Sequence, residues 1–260
     1  AVEKLADIAA TLDRFPTRRS NGTIDHQTPL ALYNGMVAPV IPYGIRGAIW
    51  YQGESNNGEG LLYHEKMKAL IAGWRATWQK PNLPFYYVQL APYKYGNRPP
   101  EMLAGIWEAQ LKTLAVPHTG MAVTVDIGNR SDIHPKNKQD VGKRLGLWAL
   151  AKTYGKKDVV FSGPLYKSMK AKGGSISISF DHVGDGLVSR DDKPLSHFTI
   201  AGEDKTFVKA TATIKGKKVV IRADSVKKPV AVRFGWHQEA EPNLSNKNGL
   251  PASPFRTDSW

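Results

Sequence analysis

The chain has 260 residues, 41% of them hydrophobic with seven tryptophans, and no cysteine, a composition that excludes a disordered chain, a disulfide scaffold and thiolate chemistry. No apolar run approaches the roughly 20 residues that span a bilayer, which argues against a membrane helix. The formal charge of +13 raises the question of nucleic acid, but residues 135–260 carry nearly all of the excess, as single lysines spread over strand-like segments. Arginines and aromatics clustered along a groove would be needed for nucleic-acid binding, so neither nucleic acid nor membrane is expected as a partner.

In chain order, Val2, Leu5, Ile8, Ala9 and Leu12 recur at helical spacing and Pro16 stops the helix, so Ala1–Arg14 reads as an amphipathic helix rather than a targeting signal. Asn21-Gly22 marks a turn in a polar, basic stretch, and Pro29–Met36 is apolar with a break at Gly35. Ile45–Tyr51 reads as a buried strand ending in Gln52-Gly53-Glu54-Ser55-Asn56-Asn57-Gly58. A helix from about Leu61 to Trp78, a strand at Phe85–Leu90, a helix over Glu101–Ala115, a strand at Met121–Val125 and a helix over Asn137–Tyr154 follow. Alternation of strand and helix at this spacing predicts a parallel sheet with right-handed crossovers.

From Val159 the pattern turns to short strands: Ser175–Phe180, Phe207–Ile214, Lys218–Arg222 and Val230–Phe234, with Lys215-Gly216-Lys217 as a hairpin tip. The expected organisation is therefore an α/β portion over residues 1–157 and an antiparallel β domain over residues 158–260, half of a sandwich packed against the first part.

Two polar segments can carry chemistry. A glycine directly after a strand lets backbone amides face a ligand, and the Gln52 amide adds a neutral donor for a developing oxyanion. Glu54 fits either a base or an orienting group, and the whole turn also fits a plain cap on the next helix. His134 in Asp132-Ile133-His134-Pro135 follows a strand, precedes a helix and has both Asp132 and Asp126 nearby, as a general base requires; a structural histidine is the alternative. The remaining histidines lack ligand spacing, so no metal site is expected. Tyr93, Tyr95 and Arg98 form a loop suited to sugar faces and an acidic substituent, or to ordinary packing.

Trp50–Asn56, Asp132–Lys138, Val141-Gly142-Lys143-Arg144-Leu145, Phe234-Gly235-Trp236 and Asn248–Arg256 together resemble the sialate O-acetylesterase family of SGNH hydrolases, over about Thr28 to Asp258. The resemblance implies an SGNH-like three-layer parallel sheet with helices on both faces, incomplete here. It also implies removal of O-acetyl groups from sialic acid or related sugars by serine-type acyl transfer, without metal or cofactor, in an extracellular, periplasmic or lumenal setting. On that pattern His134 is the general base, Gln52 an oxyanion donor and Asp132 the orienting carboxylate, with Asp126 its rival because Asp132 stands two rather than three residues before the histidine. Gly53, Glu54, Asn56 and Arg98 then face the substrate.

The pattern departs at the nucleophile, which the family carries in an N-terminal block after its first strand. Ser20, in a basic loop, is the sole serine before Gln52, and Ser55 lacks the second glycine of a nucleophile elbow. The expectation is a C-terminal portion whose serine lies in a further N-terminal portion of the same protein, acting on an acetylated sugar or glycan. A glycan-binding module that does not cleave is the alternative.

Overall fold

A computed structural model describes residues 28, 30–41 and 43–260. The helix expected over Val2–Phe15, the Asn21-Gly22 turn and Ser20 lie outside the described residues. Two compact units emerge, Ala1–Ile45 with Ala76–Lys80, and Arg46–Arg75 with Pro81–Trp260. In the first, a π-helical turn at Tyr33–Val37 runs into a 3-10 turn at Ala38–Val40, and the Trp78 indole donates to the Tyr43 carbonyl (3.2 Å).

The second unit is mixed α/β, with one parallel sheet and several antiparallel ones. Its parallel sheet consists of β1 (Ala48–Trp50), β2 (Phe85–Val88) and β3 (Thr119–Ala122), in that order. Between them run α1 (Leu62–Thr77) and α2 (Met102–Thr113), and α3 (Lys138–Trp148) follows. An apolar stripe faces α1 to the core: Tyr63, Met67 and Ile71 are buried at four-residue spacing. Asn137 caps α3 by accepting from the Asp140 amide (3.1 Å), and Gly155 at φ 69 stands just past the π-helical turn that ends it.

Successive side chains of β2 go to different cores, as the period of two demands. Phe85 and Tyr87 join α1 and α2 residues in one cluster, whereas Tyr86 and Val88 join Val141, Leu145 and Trp148 of α3 in another. One expectation is corrected here. The Ile45–Tyr51 stretch is an edge strand rather than a buried one, and Ile49 is 71% exposed. Its apolar sequence resembles that of β2, but among the described residues only β2 of this sheet has a strand on each side.

Beyond α3 the chain forms β4 (Leu165–Lys172), β5 (Ser175–Asp181), β6 (Leu187–Ser189), β7 (Phe198–Ala201), β8 (Val208–Lys209), β9 (Thr211–Lys215), β10 (Lys218–Arg222), β11 (Ala231–Phe234), β12 (Leu244–Asn246) and β13 (Phe255–Arg256). They make two four-stranded antiparallel sheets, β4-β5-β10-β9 and β13-β11-β7-β8, and a pair β12-β6. Ile176, Ile178, Val219 and Ile221 from the first share a core with Phe198, Ile200, Val232 and Phe234 from the second. The single strand expected over Phe207–Ile214 is two. Buried Ala210 separates β8, which pairs with β7, from β9, which pairs with β10. The hairpin tip at Gly216 holds, with Gly216 at φ 59.

Candidate functional site

The turn after β1 is shaped by Gly53. Its φ of 146 lies where side chains are strained, and a Cβ there would stand 2.8 Å from the Tyr63 hydroxyl and 3.3 Å from Leu90 Cδ1. Tyr63 uses that proximity, donating to the Gln52 carbonyl (2.7 Å). Glu54–Asn56 then make one 3-10 turn, closed by the Asn56 amide on the Gly53 carbonyl (2.9 Å). Side chains continue the order: Gln52 Nε2 donates to Asn56 Oδ1 (3.0 Å), Asn56 Nδ2 to Glu59 Oε2 (3.0 Å), and Lys66 Nζ to Glu59 Oε1 (2.7 Å). A primary amide has two N–H donors, so the exposed Gln52 amide keeps one for a ligand.

The Glu54 carboxylate makes no ion pair among the described residues, yet it charges its surroundings. Burial first, then Glu54, pushes the Tyr51 hydroxyl up to about 12. Burial also carries Tyr63 up to about 12, helped by Glu54 and Glu59 and opposed by the Trp50 side chain. Tyr95 is raised as well, by burial and then by Glu54, while Arg98 pulls it down. Arg98 and Glu54 therefore act on the same hydroxyl from the loops after β2 and β1.

The loop after β2 is pinned by buried amides. Gln110 of α2 accepts from the Leu90 amide (3.0 Å) and donates to the Val88 carbonyl (2.9 Å), and the Trp107 indole donates to the Leu90 carbonyl (2.7 Å). Gln89 donates to Ser253 Oγ (2.9 Å). Further out, the Tyr93 amide donates to the Gln238 carbonyl (2.9 Å) and the Tyr95 amide to Gln238 Oε1 (3.3 Å). The Lys94 amide donates to the Arg130 carbonyl (3.0 Å), joining this loop to the one after β3. None of Gln89, Gln110 or Gln238 is among the residues singled out from sequence; for Gln89 and Gln110 a glutamine inside an apolar strand or helix face was the available signal.

After β3 the two aspartates part. Asp126 is held by both Arg144 guanidinium nitrogens (2.6 and 2.7 Å), and the same Arg144 donates to the Val123 carbonyl (2.6 Å). The pair is buried, with side chains 10% and 13% exposed. Asp132 stands next to His134: its Oδ1 accepts from the His134 amide (2.9 Å) and lies 3.9 Å from His134 Nδ1. The His134 side chain is 89% exposed. Lys138, at the start of α3, sets its ammonium 4.6 Å from the centroid of the Tyr51 ring, so the His134 segment and the Gln52 turn meet through their neighbours. No hydrogen bond or ion pair among the described residues joins His134 to Gln52, Gly53, Glu54 or Asn56 themselves.

The carboxyl-end turns of this parallel sheet thus offer amide donors beside one strand and a histidine–aspartate pair beside another, groups of the kind that ester chemistry uses. More particularly, the chain belongs to the carbohydrate esterase family of sialic acid-specific acetylesterases, which residues 22–152, half of its length, match. Sialate O-acetylesterases from Homo sapiens and Rattus norvegicus are similar to it. The human protein is 28% identical across 86% of this chain and 48% of its own length, the rat protein 34% identical across 59% and 32%. A crystal structure of a carbohydrate acetylesterase from Xanthomonas citri superposes with a TM-score of 0.84 at 46% identity, covering 88% of this chain and 54% of that one. The chain thus spans about half the length of the relatives it matches.

Proposed function

We propose that this chain is the part of a serine-type carbohydrate O-acetylesterase that carries the general base and the oxyanion donor, removing acetyl groups from sialic acid or related sugars. The observation that carries the reading is the meeting of the Gln52 turn and the His134 segment across Tyr51 and Lys138, at the carboxyl end of a sheet whose relatives are acetylesterases. His134 takes the proton of a serine hydroxyl as its oxygen attacks the acetyl carbonyl. Gln52 Nε2 and backbone amides of the Gly53 turn hold the resulting oxyanion, and His134 returns the proton to the departing sugar oxygen; water then releases acetate by the same path. Asp132 orients the imidazole, and Asp126 does not, because Arg144 engages both of its oxygens. Gly53, Glu54, Asn56 and Arg98 line the sugar side. No metal or cofactor takes part in these steps.

The serine comes from a further portion of the same protein that completes an SGNH-like three-layer fold, with residues 158–260 as the β domain. Two features support a missing neighbour: the chain spans about half the length of its relatives, and among the described residues β1 has no strand on its outer side, where Ile49 is exposed. An extracellular, periplasmic or lumenal setting fits acetylated glycans as substrates.

The test is kcat/KM on an acetylated sialic acid for His134→Ala, Asp132→Asn and Asp126→Asn in the complete protein. A positioned base is worth on the order of 10²–10⁴-fold, so His134→Ala falls that far and Asp132→Asn falls less, acting only through the ring. Full activity in His134→Ala overturns the acyl-transfer reading.

A further inference from the structure

Four of the lysines that look dispersed in sequence, together with one arginine, are collected by the fold on one surface. In the β4-β5-β10-β9 sheet, Ile176, Ile178, Val219 and Ile221 point into the core, so the alternate residues point to solvent. Register places them in three cross-strand lines. In the first, Ser179 stands between Ser168 and Lys218, and Lys218 is opposite Lys215. In the second, Lys170 faces Ser177, and Val220 faces both Ser177 and Thr213. In the third, Lys172 faces Ser175 and Arg222 faces Thr211. Every line therefore holds at least one cation, with hydroxyls filling most of the other places.

All five cations are exposed, and none has an ion-pair partner among the described residues. The four strands carry one carboxylate, Asp181, and Lys167 already occupies it (2.7 Å). Lys215 and Lys218 lie directly opposite each other, an arrangement of like charges that weakens a hairpin unless an anion sits between them.

We propose that this sheet face is a docking surface for a carboxylated polysaccharide, separate from the ester-cleaving site. Lines about 6.7 Å apart along the strands and strands about 4.8 Å apart present a repeating grid of ammonium and hydroxyl groups. Such a grid matches a polymer that repeats carboxylates and hydroxyls along its length. Nucleic acid fits less well, because the face offers no ring for a base to stack on; the aromatics of these strands, Tyr166 and Phe180, pack instead against Phe255. A lipid surface fits less well too, since the half-buried Val220 is the face's lone apolar side chain. The esterase reading enters only in the choice of a glycan, since binding is measured without turnover.

The experiment is equilibrium binding of the 260-residue chain to polygalacturonate at physiological ionic strength, with neutral dextran as the reference. Two variants are compared. One replaces Lys170, Lys172, Lys215, Lys218 and Arg222 by Gln; the other makes the same change at Lys68, Lys112 and Lys143 on the helices and at Lys157 and Lys193 in loops. The expected result is binding to polygalacturonate and not dextran, weakened by salt, lost at least tenfold in the first variant and kept within about twofold in the second. A single Lys170→Glu on the edge strand β4, which tests the face without five changes to one sheet, weakens binding by about threefold or more. Polygalacturonate held no better than dextran, equal losses in the two five-site variants, or unchanged binding in Lys170→Glu overturns the proposal. Tighter binding of duplex DNA or phosphatidylserine vesicles through the same five residues overturns it as well.

Discussion

Replacing Asp126 by Asn separates a structural carboxylate from a catalytic one. The Arg144 guanidinium is buried and makes three hydrogen bonds, two of them to Asp126, at 2.6, 2.6 and 2.7 Å. Removing one partner of a buried ion pair costs about 3–5 kcal/mol, mainly because the other charge stays buried without compensation. Asparagine keeps one acceptor oxygen, so about 3 kcal/mol is expected. For a folded unit of roughly 200 residues, each kcal/mol moves Tm by about 2–4 °C, which predicts a fall of roughly 6–12 °C. Thermal unfolding followed by circular dichroism reads that shift on this chain, and kcat/KM well below the new Tm reads catalysis in the complete protein, where activity stays within about threefold. A second arm replaces both partners by apolar residues, Asp126→Leu with Arg144→Met; removing both charges recovers much of the loss, as it does for other buried pairs. The reasoning is refuted if Tm moves by less than about 2 °C while kcat/KM drops more than a hundredfold, which would make Asp126 the carboxylate that orients His134.

Three further outcomes follow from the same site. The isolated 260-residue chain is expected to show little turnover of an activated acetyl ester such as 4-nitrophenyl acetate; robust turnover abolished by Ser55→Ala would make Ser55 the nucleophile. Gly53→Ala is expected to cost roughly 1–3 kcal/mol from the φ of 146 alone, and Tyr63→Phe added to it does not restore stability even though it removes the 2.8 Å clash; full recovery in urea denaturation would show that space and not backbone conformation requires the glycine. Tyr63 is raised in the folded chain from 10.0 to about 12, so the stability tied to its neutral form is fully present below about pH 10 and is lost as pH rises toward 12. Tyr63→Phe is therefore about 1 kcal/mol less stable at neutral pH, where it lacks the hydrogen bond to Gln52, and closes that gap by pH 11; parallel urea midpoints for both chains across pH 8–11 would contradict this.

The features readable in sequence were those set by local chemistry. Leu62, Met67, Leu70, Ile71 and Trp74 at helical spacing announce α1, Asn137 announces the start of α3, and the glycine after an apolar run announces the turn that bears Gln52. What escaped depends on distant parts of the chain. Ile45–Tyr51 has the composition of an interior strand, and only the strand order reveals that among the described residues it has no neighbour on one side. In β4, Leu-Tyr-Lys-Ser-Met-Lys-Ala-Lys hides its period because, at the margin of the two-sheet core, Met169 is exposed like its neighbours. Sequence spacing favoured Asp132 as the partner of His134 with Asp126 as its rival, and nothing in that spacing says that Arg144, 18 residues beyond Asp126, engages both oxygens of the latter. Likewise nothing near Tyr93 in sequence says that Gln238 fixes its loop.

The turns at the carboxyl end of the parallel sheet differ in how firmly they are held, and the difference bears on how the proposed esterase works. The Gln52 turn is fixed by a glycine conformation, a tyrosine hydroxyl and a chain of side-chain amides. The root of the His134 loop is fixed by the buried Arg144–Asp126 pair. His134 itself is solvated, and its Nδ1 stands 3.9 Å from Asp132, about 1 Å beyond a hydrogen bond. An oxyanion donor gains from being rigid before the reaction, because reorganising dipoles during it would cost the stabilisation they supply. A general base need only be within hydrogen-bond reach of its proton when substrate is bound, and such bonds commonly tighten at that point. Covering His134 with the serine-bearing portion and the sugar would strip water from the ring, strengthen its attraction to Asp132 and close the remaining gap. On the proposed reading, catalytic competence would then be acquired by ordering one residue on a scaffold already set, with the buried pair behind it bearing on stability and the exposed pair in front of it on rate.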